Sequence, residues 1–150
     1  MLKPETSYKT IATCFGVGCF KPAPGTLGSL ASLIIWAPCV LFGVSPWIRL
    51  ALVLAIFVLG WWATLRALPG FKSLDPKEIV IDEVAGQGVA LIFCPASWVA
   101  LLAGFILFRL FDILKPWPIS FIDRKIKTAL GVMLDDVLAG VFVVLILAVF

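Results

Sequence analysis

From Pro22 to Ile48 the chain carries no charged side chain. Within that run, Leu27 to Val44 is long enough to cross the hydrocarbon core of a bilayer, which takes about 20 apolar residues as a helix. Inside lipid every backbone N–H and C=O must be paired within the protein, so only helices or a closed barrel survive there. Pro38 is expected to kink this first span. Arg49 and Arg66 bracket a second apolar run, and both side chains are expected to snorkel to the interface. Val84 to Phe108 is uncharged but broken by CPAS at 94–97, which divides it into two helices joined by a tight turn. Val137 to Phe150 is the last apolar run and is short for a full span. The expectation is an all-α polytopic membrane helix bundle of about five helices, forming a single domain over residues 1–150.

Composition agrees. The chain is 62% hydrophobic and 14% charged, against about 25% charged residues in a soluble domain. Its N-terminus, MLKPETSYKT, is polar, and the following IATCFGVGCF is only weakly apolar, so no cleavable signal peptide is visible. The net charge of +3 is mild, and no basic stripe interleaves with aromatics, which argues against nucleic acid. Nothing in the pattern assigns a protein partner.

Loop charges orient the spans. Lys3, Lys9 and Lys21 precede the first. Arg66, Lys72 and Lys77 lie in or beside the loop LPGFKSLDPKE, and Lys115, Arg124, Lys125 and Lys127 lie in a second polar loop from Lys115 to about Gly131. The positive-inside rule puts the N-terminus and both loops in the cytoplasm and the C-terminus outside.

With that orientation, four polar clusters fall at one depth on the cytoplasmic side. Asp82 and Glu83 begin the third helix. Arg109, Asp112 and Lys115 end the fourth, and Asp135 and Asp136 begin the fifth. Carboxylates at the edge of a membrane span are costly unless paired, metal-bound or facing a wet cavity. Adjacent acids repel, so the Asp135–Asp136 pair asks for a cation. Hard divalent cations prefer oxygen ligands, which makes Asp82, Glu83, Asp112, Asp135 and Asp136 the candidate metal ligands. Asp82 and Glu83 point about 100° apart on a helix, so only one need face the core. Arg109, Asp112 and Lys115 recur every three residues and share one helical face.

The fourth cluster is KPAPGTLGS at 21–29, a Pro/Gly loop opening the first span. Gly25 and Gly28 allow backbone amides close to an anion, Thr26 and Ser29 add hydroxyls, and the helix N-terminus adds partial positive charge. It is no Walker loop, since GxxxxGK[ST] is absent. Lys21, Gly25, Thr26, Gly28, Ser29, Arg109 and Lys115 are therefore the candidate phosphate-binding residues. The chain has no histidine, which removes phosphohistidine chemistry and the commonest zinc ligand. Its four cysteines fit no metal spacing and are expected to pack as apolar residues.

Taken together, FGVGCFKPAPGTLGS, IVIDEVAGQ, FRLFDILKPWPI with the following IDR, and GVMLDDVLAG resemble the phosphatidylglycerophosphatase A family in order and spacing, from about Cys14 to Phe142. Thr128-Ala129 departs from the glycines that relatives often carry there. The resemblance implies a Mg²⁺-dependent lipid phosphatase of the bacterial cytoplasmic membrane. It would hydrolyse the terminal monoester of phosphatidylglycerophosphate, with the five carboxylates as catalytic metal ligands. The basic residues and PGTLGS amides would hold the phosphoryl oxygens.

Three other readings stand beside it. A CDP-alcohol phosphatidyltransferase is also a carboxylate-metal membrane enzyme, but its D-G-x₂-A-R…G-x₃-D-x₃-D pattern is absent. An ion carrier would need polar residues through the bilayer rather than on one side. A purely structural subunit predicts that removing the charges damages folding and activity together.

Overall fold

The computed structural model describes residues 4–149, with seven α-helices and no strand among them. They are α1 (Pro4–Ala12), α2 (Pro24–Leu41), α3 (Pro46–Ala67), α4 (Ile81–Ala90), α5 (Trp98–Leu114), α6 (Ile119–Lys125) and α7 (Ala129–Leu147). Two 3-10 turns, Val17–Cys19 and Leu68–Gly70, join them. The chain is an all-α, multi-span membrane bundle: α2, α3 with its following turn, and α7 are each long and apolar enough to cross a bilayer.

Five helices overlap the expected apolar runs. Two do not. The polar N-terminus forms α1, whose Tyr8 meets Trp62 of α3 edge-on at 5.0 Å, with Ile11 and Ala12 against the same core cluster. The second polar loop contains α6, whose buried Ile119 joins Phe108, Ala139 and Val143. The last run also differs. The Thr128 hydroxyl accepts the Gly131 N–H at 3.3 Å and caps α7 ahead of the Asp pair. Asp135 and Asp136 therefore lie inside a 19-residue helix, not at its start, and that helix is long enough to span.

α4 is the centre of the bundle and packs against α2, α3, α5 and α7. It is buried on nearly every side. Small residues make this possible. A Cβ on Gly86 would strike the Asp136 carbonyl, and one on Gly140 would strike the Gly86 carbonyl. Close backbone approach of this kind is how membrane helices associate when burial from water contributes nothing. The Trp36 indole N–H adds a bond to the Val84 carbonyl at 2.9 Å.

α4 stops after ten residues, and irregular chain follows from 91 to 97. Its loose carbonyls find a donor in Arg49. This side chain does not snorkel. It is 4% exposed, and its guanidinium donates to Leu91 O at 3.0 Å, Ile92 O at 3.2 Å, Cys94 O at 2.7 Å and Val44 O at 2.8 Å. Non-helical backbone at membrane depth persists only where the protein satisfies it.

Outward, the bundle presents Ile34, Val58, Val99, Ile106 and Ile113. A soluble monomer rarely shows so continuous an apolar surface. Exposed tryptophans mark both ends: Trp47 and Trp98 at the N-termini of α3 and α5, Trp117 beyond the C-terminus of α5. Tryptophans collect at membrane–water interfaces in this way.

Candidate active site

The start of α2, the start of α4, the end of α5 and the second turn of α7 meet around one cavity of about 540 Å³. Asp82, Glu83, Arg109, Asp112, Lys115, Asp135 and Asp136 all line it, together with Pro22 to Thr26 and the loop residues Asp75, Pro76 and Lys77. Residues of all four polar clusters thus line one cavity. Two helix N-termini, those of α2 and α4, bring partial positive charge to it.

The five carboxylates separate into three environments. Glu83, Asp112 and Asp136 each offer an oxygen such that the three lie within 4.8 Å of one another. Asp135 accepts from Lys115 Nζ at 2.6 Å. Asp82 turns back on its own helix and accepts the Glu83 N–H at 3.0 Å. As the helical offset requires, Glu83 is buried while Asp82 is only half-buried.

Arg109 ties the cluster together. Its Nη1 lies 2.5 Å from Asp112 Oδ2, 3.4 Å from Glu83 Oε2 and 3.1 Å from the Ser29 hydroxyl. Its Nη2 lies 3.3 Å from the Thr26 hydroxyl. Ser29 in turn donates to Glu83 Oε2 at 2.7 Å. Gly25 and Gly28 are the clearance for this arrangement. A Cβ on Gly25 would meet Glu83 Oε1 at 2.5 Å, and one on Gly28 would meet Val80 Cβ at 2.6 Å and Glu83 Oε2 at 3.0 Å. Gly28 and Ser29 thus reach the site through Glu83 rather than by lining the cavity.

Lys115, in the left-handed conformation just after α5, also donates to Asp123 Oδ1 of α6 at 2.8 Å. Burial pushes the Asp123 carboxyl up. The Lys115 hydrogen bond and charge outweigh that, with help from Lys127 and Arg124, and hold it below the ordinary carboxylate range. Asp123 was not a candidate from sequence, although it lies in the IDR that follows PWPI. Lys77 and Asp75 were also missed, because SLDPKE reads as a solvated loop. Lys21 lines the adjoining hollow beside Lys77, not the acidic cavity.

A divalent cation suits the three-carboxylate cluster. The donor set is all oxygen, as hard cations prefer. Asp136 Oδ2 is buried with no hydrogen-bond partner, as are Arg109 Nε and both amide atoms of Gln87, one turn along α4 from Glu83. Buried polar atoms are seldom left unpaired. Of these, Asp136 and Arg109 line the acidic cavity, and Asp136 belongs to the three-carboxylate cluster itself.

The model of the family described as phosphatidylglycerophosphatase A matches residues 10–150. A phosphatidylglycerophosphatase A of Haemophilus influenzae is 41% identical over 138 residues, covering 91% of this chain and 83% of that protein. Its Escherichia coli counterpart is 34% identical over 142 residues, covering 93% and 81%. A Bacteroides thetaiotaomicron protein whose name gives it provisionally as a phosphatidylinositol-3-phosphatase is 36% identical over 156 residues, covering 99% and 96%. No solved structure matches. With the match spanning almost the whole chain, this protein belongs to the phosphatidylglycerophosphatase A family.

Proposed function

We propose that this protein hydrolyses the terminal phosphate monoester of phosphatidylglycerophosphate, releasing phosphatidylglycerol and inorganic phosphate. The observation that carries the reading is the Glu83–Asp112–Asp136 cluster facing Arg109 beside the N-terminus of α2. Family membership supplies the substrate. The lipid-facing surface and three apolar helices supply the setting.

Glu83, Asp112 and Asp136 would hold Mg²⁺. Bound there, the ion supplies charge neutralisation for the phosphoryl oxygens and a more acidic water. The chain's own residues do the rest. Arg109 and the amides at the start of α2 hold the phosphoryl oxygens, with Thr26 beside them. Ser29 fixes Glu83 and Arg109 relative to each other. Lys115 keeps Asp135 oriented at the cavity wall and stands ready for phosphoryl charge as it develops. We assign Asp82, which among the described residues has no cationic partner, the proton of the attacking water. Water attacks phosphorus as Asp82 takes its proton, the bond to the glycerol oxygen breaks, and that oxygen takes up a proton from solvent to leave as the alcohol, after which Asp82 returns its proton to solvent.

The site faces the cytoplasm in this proposal. The warrant is the basic content of the 68–78 and 115–128 segments beside it. Cysteines introduced at Lys72 and Lys125 in a cysteine-free background should react in intact cells only with a permeant reagent. Reaction with an impermeant one reverses the orientation.

Phosphate release from purified protein in detergent tests the function. The expected result is release from phosphatidylglycerophosphate that needs Mg²⁺ and stops with chelator. Phosphatidylinositol 3-phosphate, the headgroup named for the Bacteroides relative, should be the poorer substrate. The reverse preference overturns the headgroup assignment. Ion flux in liposomes without phosphate release overturns the enzyme.

A further inference from the structure

The acidic cavity does not end at the acids. It continues into a second hollow of about 660 Å³, and the two share Pro22, Pro24, Asp75, Pro76 and Lys77. Lys77 is the one cation lining both. Of the three cations on the acidic cavity, Arg109 is engaged by Glu83 and Asp112, and Lys115 by Asp123 and Asp135. Lys77 has no carboxylate within ion-pair distance among the described residues. Its acidic neighbour Asp75 is drawn off by Lys127 at 3.5 Å. Glu78 lines the hollow but not the acidic cavity.

Lys77 is also presented from a fixed point. The Ile79 N–H bonds the Pro76 carbonyl at 3.1 Å, closing a turn with Lys77 at its second position. Pro76 and Ile79 on either side are buried, and the Val80 N–H bonds the Ala12 carbonyl at 3.0 Å. A lysine on a pinned turn, exposed and uncommitted at the junction of two cavities, is a place for an anion.

The substrate brings a second anion. Phosphatidylglycerophosphate carries a phosphodiester as well as the reactive monoester, with the glycerol between them. When the monoester is at Arg109, the diester, one glycerol away, lies outside the carboxylate cluster. We propose that Lys77, backed by Lys21 in the hollow, binds the phosphodiester of the substrate and so selects lipids with two phosphates. This rests on the function proposed above. It adds a subsite that the carboxylate cluster does not provide, and it makes Lys77 a specificity residue rather than a member of the reacting set.

Lys77→Gln tests it in two ways. In phosphate-release assays, KM for phosphatidylglycerophosphate should rise about tenfold while kcat falls little, the loss of one charged hydrogen bond to substrate. Lys77→Arg should restore KM. In a separate arm that needs no turnover, dihexanoyl-phosphatidylglycerol, which has the diester alone, should bind wild-type protein more tightly than Lys77→Gln by calorimetry. Unchanged binding and unchanged KM overturn the proposal. So does a fall in kcat with a lower melting temperature, because that is the pattern of a turn that has lost its shape. If wild-type protein releases no phosphate, the proposed function fails, and the binding arm still decides the role of Lys77.

Discussion

The Ser29 hydroxyl donates to Glu83 Oε2 at 2.7 Å while lying 3.1 Å from Arg109 Nη1. One fully buried hydroxyl thus joins the helix that opens the site to an acid on α4 and a base on α5. It sets the spacing between the residue that would hold metal and the one that would hold phosphate. Ser29→Ala removes the link without changing charge. Hydrogen bonds to charged groups contribute about 1.5–3 kcal/mol when buried. The expected outcome is a loss of about tenfold in kcat/KM, equivalent to about 1.4 kcal/mol. Steady-state kinetics on the variant, with detergent melting alongside, checks it. Near-wild-type kcat/KM removes Ser29 from the positioning role.

Arg109 makes four contacts that no lysine can reproduce. Nη1 addresses Asp112, Glu83 and Ser29, and Nη2 addresses Thr26. A guanidinium is a rigid planar fork, whereas an ammonium is a point charge. Arg109→Lys should therefore lose about tenfold or more in kcat/KM, or about 1.4 kcal/mol, while melting temperature is nearly kept. If Arg109 is only a strut between acids, the order reverses: activity per folded molecule survives and stability falls first.

Much of this site was legible because charge in an apolar chain is conspicuous. Asp82, Glu83, Arg109, Asp112, Lys115, Asp135 and Asp136 stand out against long uncharged runs, and loop charge alone aligned them at one depth. What could not be read was how the acids divide. Periodicity says that Asp135 and Asp136 differ in direction, not that Lys115 takes one and the carboxylate cluster the other. That partition depends on Asp123 of α6, a helix hidden inside a loop of polar and proline residues. α1 was hidden for a similar reason, since Tyr8, Ile11 and Ala12 acquire an apolar face only against α3. Arg49 was misread because snorkelling is the default for arginine at the end of a span. Only the structure reveals the carbonyls of Leu91, Ile92 and Cys94 converging on it.

That last point has a measurable consequence. Arg49→Met keeps length and apolar packing but withdraws the donors to Leu91, Ile92 and Cys94. Leu91 O keeps the Cys94 N–H at 3.2 Å, so the loss falls on Ile92 and Cys94, at about 1–3 kcal/mol for each buried carbonyl left without a donor. The melting temperature in detergent should fall sharply, while kcat of the fraction that remains folded stays close to wild type, because Arg49, in the first turn of α3, bonds the chain beyond α4 and does not line the acidic cavity. A variant that melts normally would mean the 91–97 segment does not rely on Arg49.

The division of the carboxylates gives the most discriminating prediction. Glu83, Asp112 and Asp136 form the cluster that fits a cation, whereas Asp135 is held by Lys115 and Asp82 by its own helix. Glu83→Gln, Asp112→Asn and Asp136→Asn should each weaken divalent-metal binding in calorimetry by at least about 100-fold, given that even an outer partner of a ligand is worth about 10–100-fold. Asp82→Asn and Asp135→Asn should keep most of the metal affinity, yet lose turnover: the first removes the group assigned the water's proton, the second releases Lys115 from the cavity wall. Binding and kinetics on the five variants therefore separate the residues that hold metal from those that act beside it. If all five lose metal alike, the cation is shared across the whole cavity and the three-residue cluster is not its seat. If none does, the acids serve the bundle, and the metal-assisted mechanism falls with them.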